Sequence, residues 1–286
     1  MPDFIIVGAA KAATTSLHHY LQQHPDIVMS KDRWTRFFHI DAGIPNFDAL
    51  EKRYGSALRA ESEKRFRMMC HSKIPHTFEE YCQQWPAHLE GKLLGESSPT
   101  YLYHHRAHER IKARFPHVKL IVILRQPADR AYSHFIMDVR TGWIKDRRFV
   151  DALNREPIDA SNFWWGTRQY FRQSIYAPRI AHLYKCFGRE QIKIMLYDDI
   201  TTQPATFFSE LFQFIGADAN CSIDTSVRYN EGVLEKPFGN EDDPMARFRP
   251  PPIDFSLRKT LTQRYAADIR EVETLTGKDL TGWLDV

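Results

Sequence analysis

The sequence predicts an α/β fold in which helices cover both faces of a central parallel sheet. Short apolar segments alternate with segments of helical periodicity along most of the 286 residues, and this alternation is typical of repeated strand–helix units. Several apolar segments are uniformly hydrophobic, as parallel strands buried on both faces are. Because such strands are joined by right-handed crossovers, three layers are expected, with helices on either side of the sheet.

Each element follows this alternation from the N-terminus. Residues 4–7 are uniformly apolar and predict a strand, whereas residues 14–23 carry apolar side chains at helical spacing. Further strands are predicted at residues 92–95, 119–124 and 191–196, and further helices at about residues 107–115, 177–187 and 204–215 and from residue 127 onward. Residues 249–252 are rich in proline and predict a stiff connection before a final helix. Ligands bind beyond the carboxyl ends of parallel strands, so the segments after residues 7, 94 and 124 are the candidate site.

The whole chain, residues 1–286, is predicted to form one domain. No linker rich in glycine, serine or proline divides it, and no repeat recurs at a fixed period. Residues 41–90 and 141–176 are rich in aromatic and charged side chains and are expected to form a helical lid. Their aromatic rings either stack on a bound ligand or pack the lid onto the core.

The composition argues against several classes of function. A net charge of +3 suits a small anionic ligand but is too weak to indicate nucleic-acid binding. No stretch approaches the roughly 18 apolar residues of a membrane span. The apolar run at residues 4–7 leaves no room for a signal peptide, so a cytoplasmic location is expected.

The cysteine and histidine residues show no metal-binding pattern. Four cysteines lie scattered along the chain, at Cys70, Cys82, Cys186 and Cys221. They are expected to be free thiols in a reducing compartment. Histidines cluster at residues 18–19 and 104–108, but neither cluster shows a helical zinc pair with a third ligand in view. No metal is therefore expected.

The first candidate motif is the segment of residues 8–16, Gly-Ala-Ala-Lys-Ala-Ala-Thr-Thr-Ser. A strand, a turn of small residues and a helix would aim backbone N–H groups and a helix N-terminus at an anion. Nucleotide triphosphatases place a lysine directly before the final Ser or Thr, whereas Lys11 stands three residues before Thr14. The segment is either a phosphate loop of another kind or an ordinary tight turn.

The second candidate motif begins at the end of the predicted strand 119–124. Arg125 is followed by Pro127, Arg130 and Ser133, which places a guanidinium fork near a helix that carries a hydroxyl. Arg125 and Ser133 could together hold a second phosphate. Their alternative roles are a salt bridge and a solvated helix face.

Together the two motifs resemble those of the sulfotransferases, in the branch that includes bacterial enzymes and domains acting on heparan sulfate. The loop of that family, Lys-x-Gly-Thr-Thr, is matched by residues 11–15, and its Arg-x-Pro-x-x-Arg-x-x-Ser motif is matched by residues 125–133. Residues 95–101, 196–200 and 275–280 extend the similarity. The resemblance implies a P-loop-like fold and transfer of a sulfuryl group from 3′-phosphoadenosine 5′-phosphosulfate (PAPS) to a hydroxyl or amine. The product is then 3′-phosphoadenosine 5′-phosphate (PAP), and no metal takes part.

The resemblance also implies roles in donor binding. Lys11 would neutralise charge on the oxygen between phosphorus and sulfur, and Arg125 with Ser133 would hold the 3′-phosphate. The residues implied to hold the 5′-phosphate are Ala12, Ala13, Thr14, Thr15 and Ser16. A basic loop containing Lys236 and Gly239 loosely matches one that closes on the donor, although a solvated lysine would give the same sequence.

Two positions depart from the family pattern. Ala13 replaces the loop glycine, and a left-handed backbone there would cost roughly 1–2 kcal/mol. Trp34 stands where relatives carry a glutamate base, three residues before Phe37 and Phe38, and an indole cannot accept a proton.

The base must therefore come from elsewhere. Glu96 and His39 are the candidate bases, and Asp32 lies near the same segment. Glu96 could instead be a structural carboxylate that pairs with an arginine such as Arg106.

The family's acceptors are sugars, lipids, natural-product hydroxyls and carrier-bound acyl chains, and the sequence does not choose among them. Two other functions stay open. A catalytically silent nucleotide-binding module would fit the tryptophan at position 34, and a P-loop kinase would fit the first loop alone.

Overall fold

A computed structural model of the protein describes residues 1–40, 51–52, 55–56, 59–60, 75, 77–87, 89–140, 144, 146–156, 169–227, 229 and 251–285. Its centre is a sheet of five parallel strands in the order β2-β3-β1-β4-β5. The strands are β1 (Phe4–Gly8), β2 (Ile27–Met29), β3 (Leu93–Ser97), β4 (Lys119–Leu124) and β5 (Ile192–Leu196). The predicted α/β class and parallel sheet are confirmed.

The described residues also form helices. They are α1 (Thr14–Leu21), α2 (Phe37–Ile40), α3 (Phe78–Cys82), α4 (His105–Arg114), α5 (Pro127–Arg140), α6 (Phe149–Asn154), α7 (Ala177–Cys186), α8 (Asp199–Thr202), α9 (Pro204–Ile215) and α10 (Phe255–Thr276). Short 3-10 turns occur at Tyr101–Tyr103, Arg172–Ser174, Arg189–Gln191 and Thr281–Trp283. None of the helices in the described ranges has the length and apolar character needed to cross a membrane.

The strand β1 lies at the middle of the sheet, and all five of its residues are buried. Phe4 is in register with Gly95 on β3 and with Lys119 on β4. This central position explains the uniformly apolar sequence, because both faces of the strand are covered. The carboxyl ends of β1, β3 and β4 consequently lie at the same edge of the sheet.

The proximity of Cα atoms divides the chain into two compact units. The first contains residues 1–44, 70–125 and 181–229 and so includes the whole sheet. The second contains residues 45–69, 126–180 and 230–286. A single domain over residues 1–286 remains a prediction.

The second unit has its own polar framework around α5. Arg130 is fully buried and donates from Nε to Ser174 Oγ (2.6 Å) and from Nη2 to the carbonyl of Tyr170 (2.8 Å). Asp129 accepts two hydrogen bonds from Arg258 of α10, at 2.9 and 3.0 Å. These bonds make Arg130 a structural residue of this unit.

Most of the two predicted lid segments falls outside the described residues, including Trp143 and residues 163–165. Five of the seven aromatic residues described there are buried: Tyr81, Trp85, Phe149, Tyr170 and Tyr176. The role of the two segments as a lid stays a prediction. Cys82, Cys186 and Cys221 are free thiols, in agreement with the sequence.

Candidate active site

The loop between β1 and α1 is fixed by the turn that follows β3. A side-chain Cβ at Gly8 would lie 2.6 Å from Leu102 Cβ, so the close approach of this turn requires glycine. Tyr103 of the same turn accepts a hydrogen bond at its hydroxyl from the N–H of Ala10 (3.1 Å). The start of the loop is thereby held against the turn at Tyr101–Tyr103.

Two residues of this loop have left-handed backbones, Lys11 with φ 73° and Ala13 with φ 60°. The conformation at Ala13 begins α1, since the N–H of Leu17 donates to the carbonyl of Ala13 (2.9 Å). The N–H groups of the first turn, residues 14–16, precede that bond and have no helical acceptor. They form the kind of N-terminus that binds anions.

Ala13 adopts the left-handed backbone whose cost was estimated from the sequence. The resulting strain can be measured. Ala13→Gly should raise the free energy of unfolding by about 0.5–1 kcal/mol, since relief of the left-handed cost exceeds the entropy that glycine adds to the unfolded chain. Urea unfolding would measure the change. The matched control is Ala12→Gly at a buried position without positive φ, where we expect lower stability. Equal destabilisation by both variants would contradict strain at Ala13.

The second motif meets the loop through Arg125, which follows β4. Its Nη1 donates to the carbonyl of Lys11 (3.3 Å), and its Cζ lies 4.6 Å from the ring centroid of Tyr197. Lys11 and Arg125 are both partly exposed. The structure therefore brings these two cationic residues to one edge of the sheet.

The other predicted loop residues differ in accessibility. Thr14 is buried and Thr15 is half-buried. The N–H of Ala12 donates to the carbonyl of Ala9 (3.1 Å). Ser16 donates from Oγ to the carbonyl of Tyr229 (3.1 Å), so its hydroxyl would have to leave this bond to donate to a phosphate.

Glu96, near the end of β3, lies inside a cage of hydroxyl groups and is fully buried. Its Oε1 accepts from Ser98 and Tyr101, each at 2.8 Å, and also from Thr35. Its Oε2 accepts from the hydroxyl of Tyr81 (2.6 Å). Burial raises the pKa of Glu96, while the bonds from Thr35, Tyr81, Ser98 and Tyr101 oppose that shift.

This cage decides between the roles foreseen for Glu96. The ion pair with Arg106 is wrong, because hydroxyls occupy the carboxylate and Arg106 is exposed on α4. Direct proton abstraction is not supported either, since neither oxygen is open to an acceptor. The carboxylate instead links β3 to the segment that begins at Thr35.

His39, the other candidate base, is also fully buried. Its Nδ1 is 3.0 Å from Thr100 Oγ1, and its ring lies 4.4 Å from the ring of His104. Burial lowers the pKa of His39 well below its usual value, and the nearby His104, Arg36 and Arg110 act in the same direction. A neutral, enclosed imidazole is a packing group rather than an accessible base.

Trp34 is half-buried and lies near two arginines. The Cζ atoms of Arg33 and Arg36 lie 5.8 and 5.1 Å from its ring centroid. The position therefore presents an aromatic ring beside guanidinium groups, where relatives of the resembled family carry a carboxylate.

Comparison with known proteins decides the family. A family model described as the sulfotransferase family matches residues 2–220. The chain belongs to the sulfotransferase family. Among solved structures, a sulfotransferase from Alicyclobacillus acidocaldarius superposes with a TM-score of 0.76 at 25% identity, covering 99% of this chain and 98% of that one.

Curated relatives of the chain are more distant and longer. The mouse bifunctional heparan sulfate N-deacetylase/N-sulfotransferase 4 is 22% identical over 99% of this chain and 31% of its own length. The human heparan sulfate glucosamine 3-O-sulfotransferase 6 is 24% identical over 75% of this chain and 52% of its own length. This chain therefore spans about a third to a half of these relatives.

The roles of three predicted donor residues stay predictions. Ser133 lies half-buried on α5 in the second unit, so its role still rests on the motif. Lys236 and Gly239 lie outside the described residues.

Sequence reasoning missed three tyrosines around the loop: Tyr103, Tyr197 and Tyr229. Tyr197 directly follows β5, so the rule that ligands bind beyond strand ends could have found it. Tyr103 and Tyr229 act through long-range contacts with Ala10 and Ser16, which no local sequence pattern reveals.

Proposed function

We propose that this sulfotransferase uses PAPS as donor, transfers its sulfuryl group to an acceptor hydroxyl or amine, and releases PAP. The observation that supports it most is the hydrogen bond from Arg125 to the carbonyl of Lys11. This contact gathers two cations and the N-terminus of α1 at one strand-end edge. A donor with phosphate groups at two places matches such a pair of anion sites.

The proposed reaction needs placement and charge neutralisation. The acceptor oxygen or nitrogen bonds to sulfur while the bond from sulfur to the 5′-phosphate oxygen breaks, and that oxygen keeps the electron pair. The acceptor proton passes to a base. Lys11 neutralises the charge that develops on the departing oxygen, and residues 12–16 hold the 5′-phosphate through backbone N–H groups and hydroxyls.

Three further donor contacts are proposed from the sequence motifs. Ser133 joins Arg125 at the 3′-phosphate, and the loop with Lys236 and Gly239 closes over the donor. A 3′-phosphate contact would make the enzyme prefer PAP to ADP.

The acceptor base is proposed to be a group other than Glu96 and His39, because both are enclosed. Asp32 is the half-buried carboxylate of the same segment, and its Oδ2 accepts from Gln84 Nε2 (3.1 Å). We assign proton removal to Asp32.

The first acceptor class that we propose is carbohydrate, since two relatives are named for heparan sulfate. Lipids, natural products and carrier-bound acyl chains are the other members of the acceptor class. A cytoplasmic location is proposed from the free thiols Cys82, Cys186 and Cys221.

A catalytically silent PAP-binding module is the second candidate function. The observation that favours it is Trp34, which replaces the carboxylate of relatives with a ring beside two guanidinium groups. Calorimetry with PAP, ADP and ATP with magnesium, followed by transfer of labelled sulfate from PAPS to an acceptor panel, separates these functions. Tight PAP binding without transfer to any acceptor would establish the silent module, and preference for ATP with magnesium would indicate a kinase.

Arg125→Ala should weaken PAP binding about 10- to 100-fold, because a charge-assisted contact to phosphate is lost. ADP lacks the 3′-phosphate, so its affinity should change much less. Calorimetry of both nucleotides measures the difference. Arg106→Ala, an exposed arginine on α4, is the matched control and should bind PAP as the wild type does. Equal PAP affinity in the wild type and the Arg125 variant would refute the 3′-phosphate assignment.

A further inference from the structure

Arg33 is a largely enclosed cation without a counterion among the described residues. Burial lowers the pKa of its guanidinium, and its Nε is buried without a hydrogen-bond partner. Its contact within the described part of the chain is with the ring of Trp34. Enclosing a charge without a partner is costly, so such a group is suited to pairing with an anion from outside the chain.

The neighbours of Arg33 do not supply that anion. Asp32 uses Oδ2 to accept from Gln84 and does not form an ion pair with Arg33 in the described structure. His18 of α1 is close enough for Arg33 to affect its charge: burial, then His19, then Arg33 lower the pKa of His18 to about 3. His18 is therefore neutral, and its Nδ1 is likewise buried without a partner.

The electrostatic effect on His18 indicates that Arg33 lies near α1, the helix that begins at the proposed phosphate loop. His18 lies one turn after Thr14, the first residue of α1. Arg33 thus lies near the helix of the donor loop while belonging to the segment after β2. This is where an acceptor would approach the sulfuryl group under the proposed function.

The segment that carries Arg33 is held in a fixed shape. Arg36 has a left-handed backbone with φ 53°. Its N–H donates to Ser98 Oγ (3.1 Å), and its carbonyl accepts from the N–H of His39 (3.0 Å). Such a conformation persists in a non-glycine residue only where surrounding contacts enforce it, and it is concentrated at functional sites. The Glu96 cage supplies these contacts through Ser98 and Thr35.

We propose that Arg33 and Trp34 form an acceptor subsite that binds an anionic group carried on or beside a ring. The guanidinium of Arg33 pairs with a carboxylate or sulfate of the acceptor, and the indole of Trp34 packs against the ring that bears it. Arg36 adds a second positive charge, with its Cζ 5.1 Å from the centroid of the indole. The inference rests on the proposed function, since it names the acceptor class of the same site.

The test compares two probes that differ by one carboxylate, phenyl β-D-glucuronide and phenyl β-D-glucoside. Each is titrated into protein saturated with PAP, so that the donor site is filled. The wild type should bind the glucuronide about 10-fold more tightly than the glucoside. Arg33→Gln should remove this preference and leave glucoside binding unchanged, whereas Arg106→Ala should retain it.

Each outcome bears on a definite claim. Normal PAP binding without a preference for the glucuronide in the wild type overturns the subsite, and a preference that survives in Arg33→Gln overturns the assignment to Arg33. Weaker PAP binding by Arg33→Gln would assign the arginine to the donor and also overturn the proposal. Failure of the wild type to bind PAP would contradict the proposed function itself. Should Arg33→Gln not fold, Arg33→Lys should show a reduced preference, because a lysine keeps the charge but loses the planar fork.

Discussion

Lys11→Ala should lower kcat roughly 100- to 1,000-fold at saturating PAPS and acceptor, the loss seen when one stabilising group of a transition state is removed. The ammonium is proposed to act on charge that appears on the departing phosphate oxygen as the bond to sulfur breaks. PAP carries no sulfuryl group and undergoes no such change, so its affinity should fall far less than kcat. Transfer of labelled sulfate and calorimetry with PAP measure the two effects separately.

The control for this experiment is Lys185→Ala, which removes an exposed lysine on α7. It should leave both kcat and PAP affinity unchanged. A loss of PAP affinity equal to the loss of kcat in the Lys11 variant would show that Lys11 contributes uniform binding rather than transition-state stabilisation.

Most of the sheet could be predicted because four of its strands have apolar sequences, as strands that are covered by neighbouring elements do. The sequence located β4 at residues 119–124, as in the structure, and β1 to within one residue. It did not locate β2, which has only three residues, too few to show any periodicity. Ile27 and Met29 become strand residues through pairing with Leu93 and Gly95 of β3, a contact between segments far apart in sequence.

The position of the candidate site at the β1–α1 loop could be predicted for a different reason, namely that ligand sites lie at the ends of parallel strands. Lys11 and Arg125 each follow such an end, and the structure brings them into contact. The burial and hydrogen bonding of Glu96 could not be predicted, because its hydrogen-bond partners come from a loop, a helix and a turn. A carboxylate placed just before a strand end can face ligand or core, and only the positions of Thr35 and Tyr81 decide between them.

Glu96→Ala should lower the free energy of unfolding by roughly 3 kcal/mol or more, because it leaves buried hydroxyls of four residues without their acceptor. Glu96→Gln keeps the shape and one carbonyl oxygen, and the hydroxyl of Tyr81 can turn to accept from the new amide. We therefore expect the glutamine variant to lose much less. Urea unfolding of both variants measures the contrast, and similar losses would show that packing volume rather than hydrogen bonding stabilises this region.

The wild type and Glu96→Gln should also differ in how their stability depends on pH. Burial raises the pKa of Glu96 in the folded protein above the value of about 4.3 that a glutamate has in an unfolded chain. A raised pKa means that the folded state holds the proton to higher pH, so the carboxyl favours folding most below about pH 4. That contribution disappears as the pH rises through the folded pKa. The stability of Glu96→Gln relative to the wild type should therefore increase as the pH rises from about 4 through the folded pKa of Glu96. A relative stability that falls over this range would mean that the four hydroxyl bonds outweigh burial and hold the carboxylate ionised in the folded state.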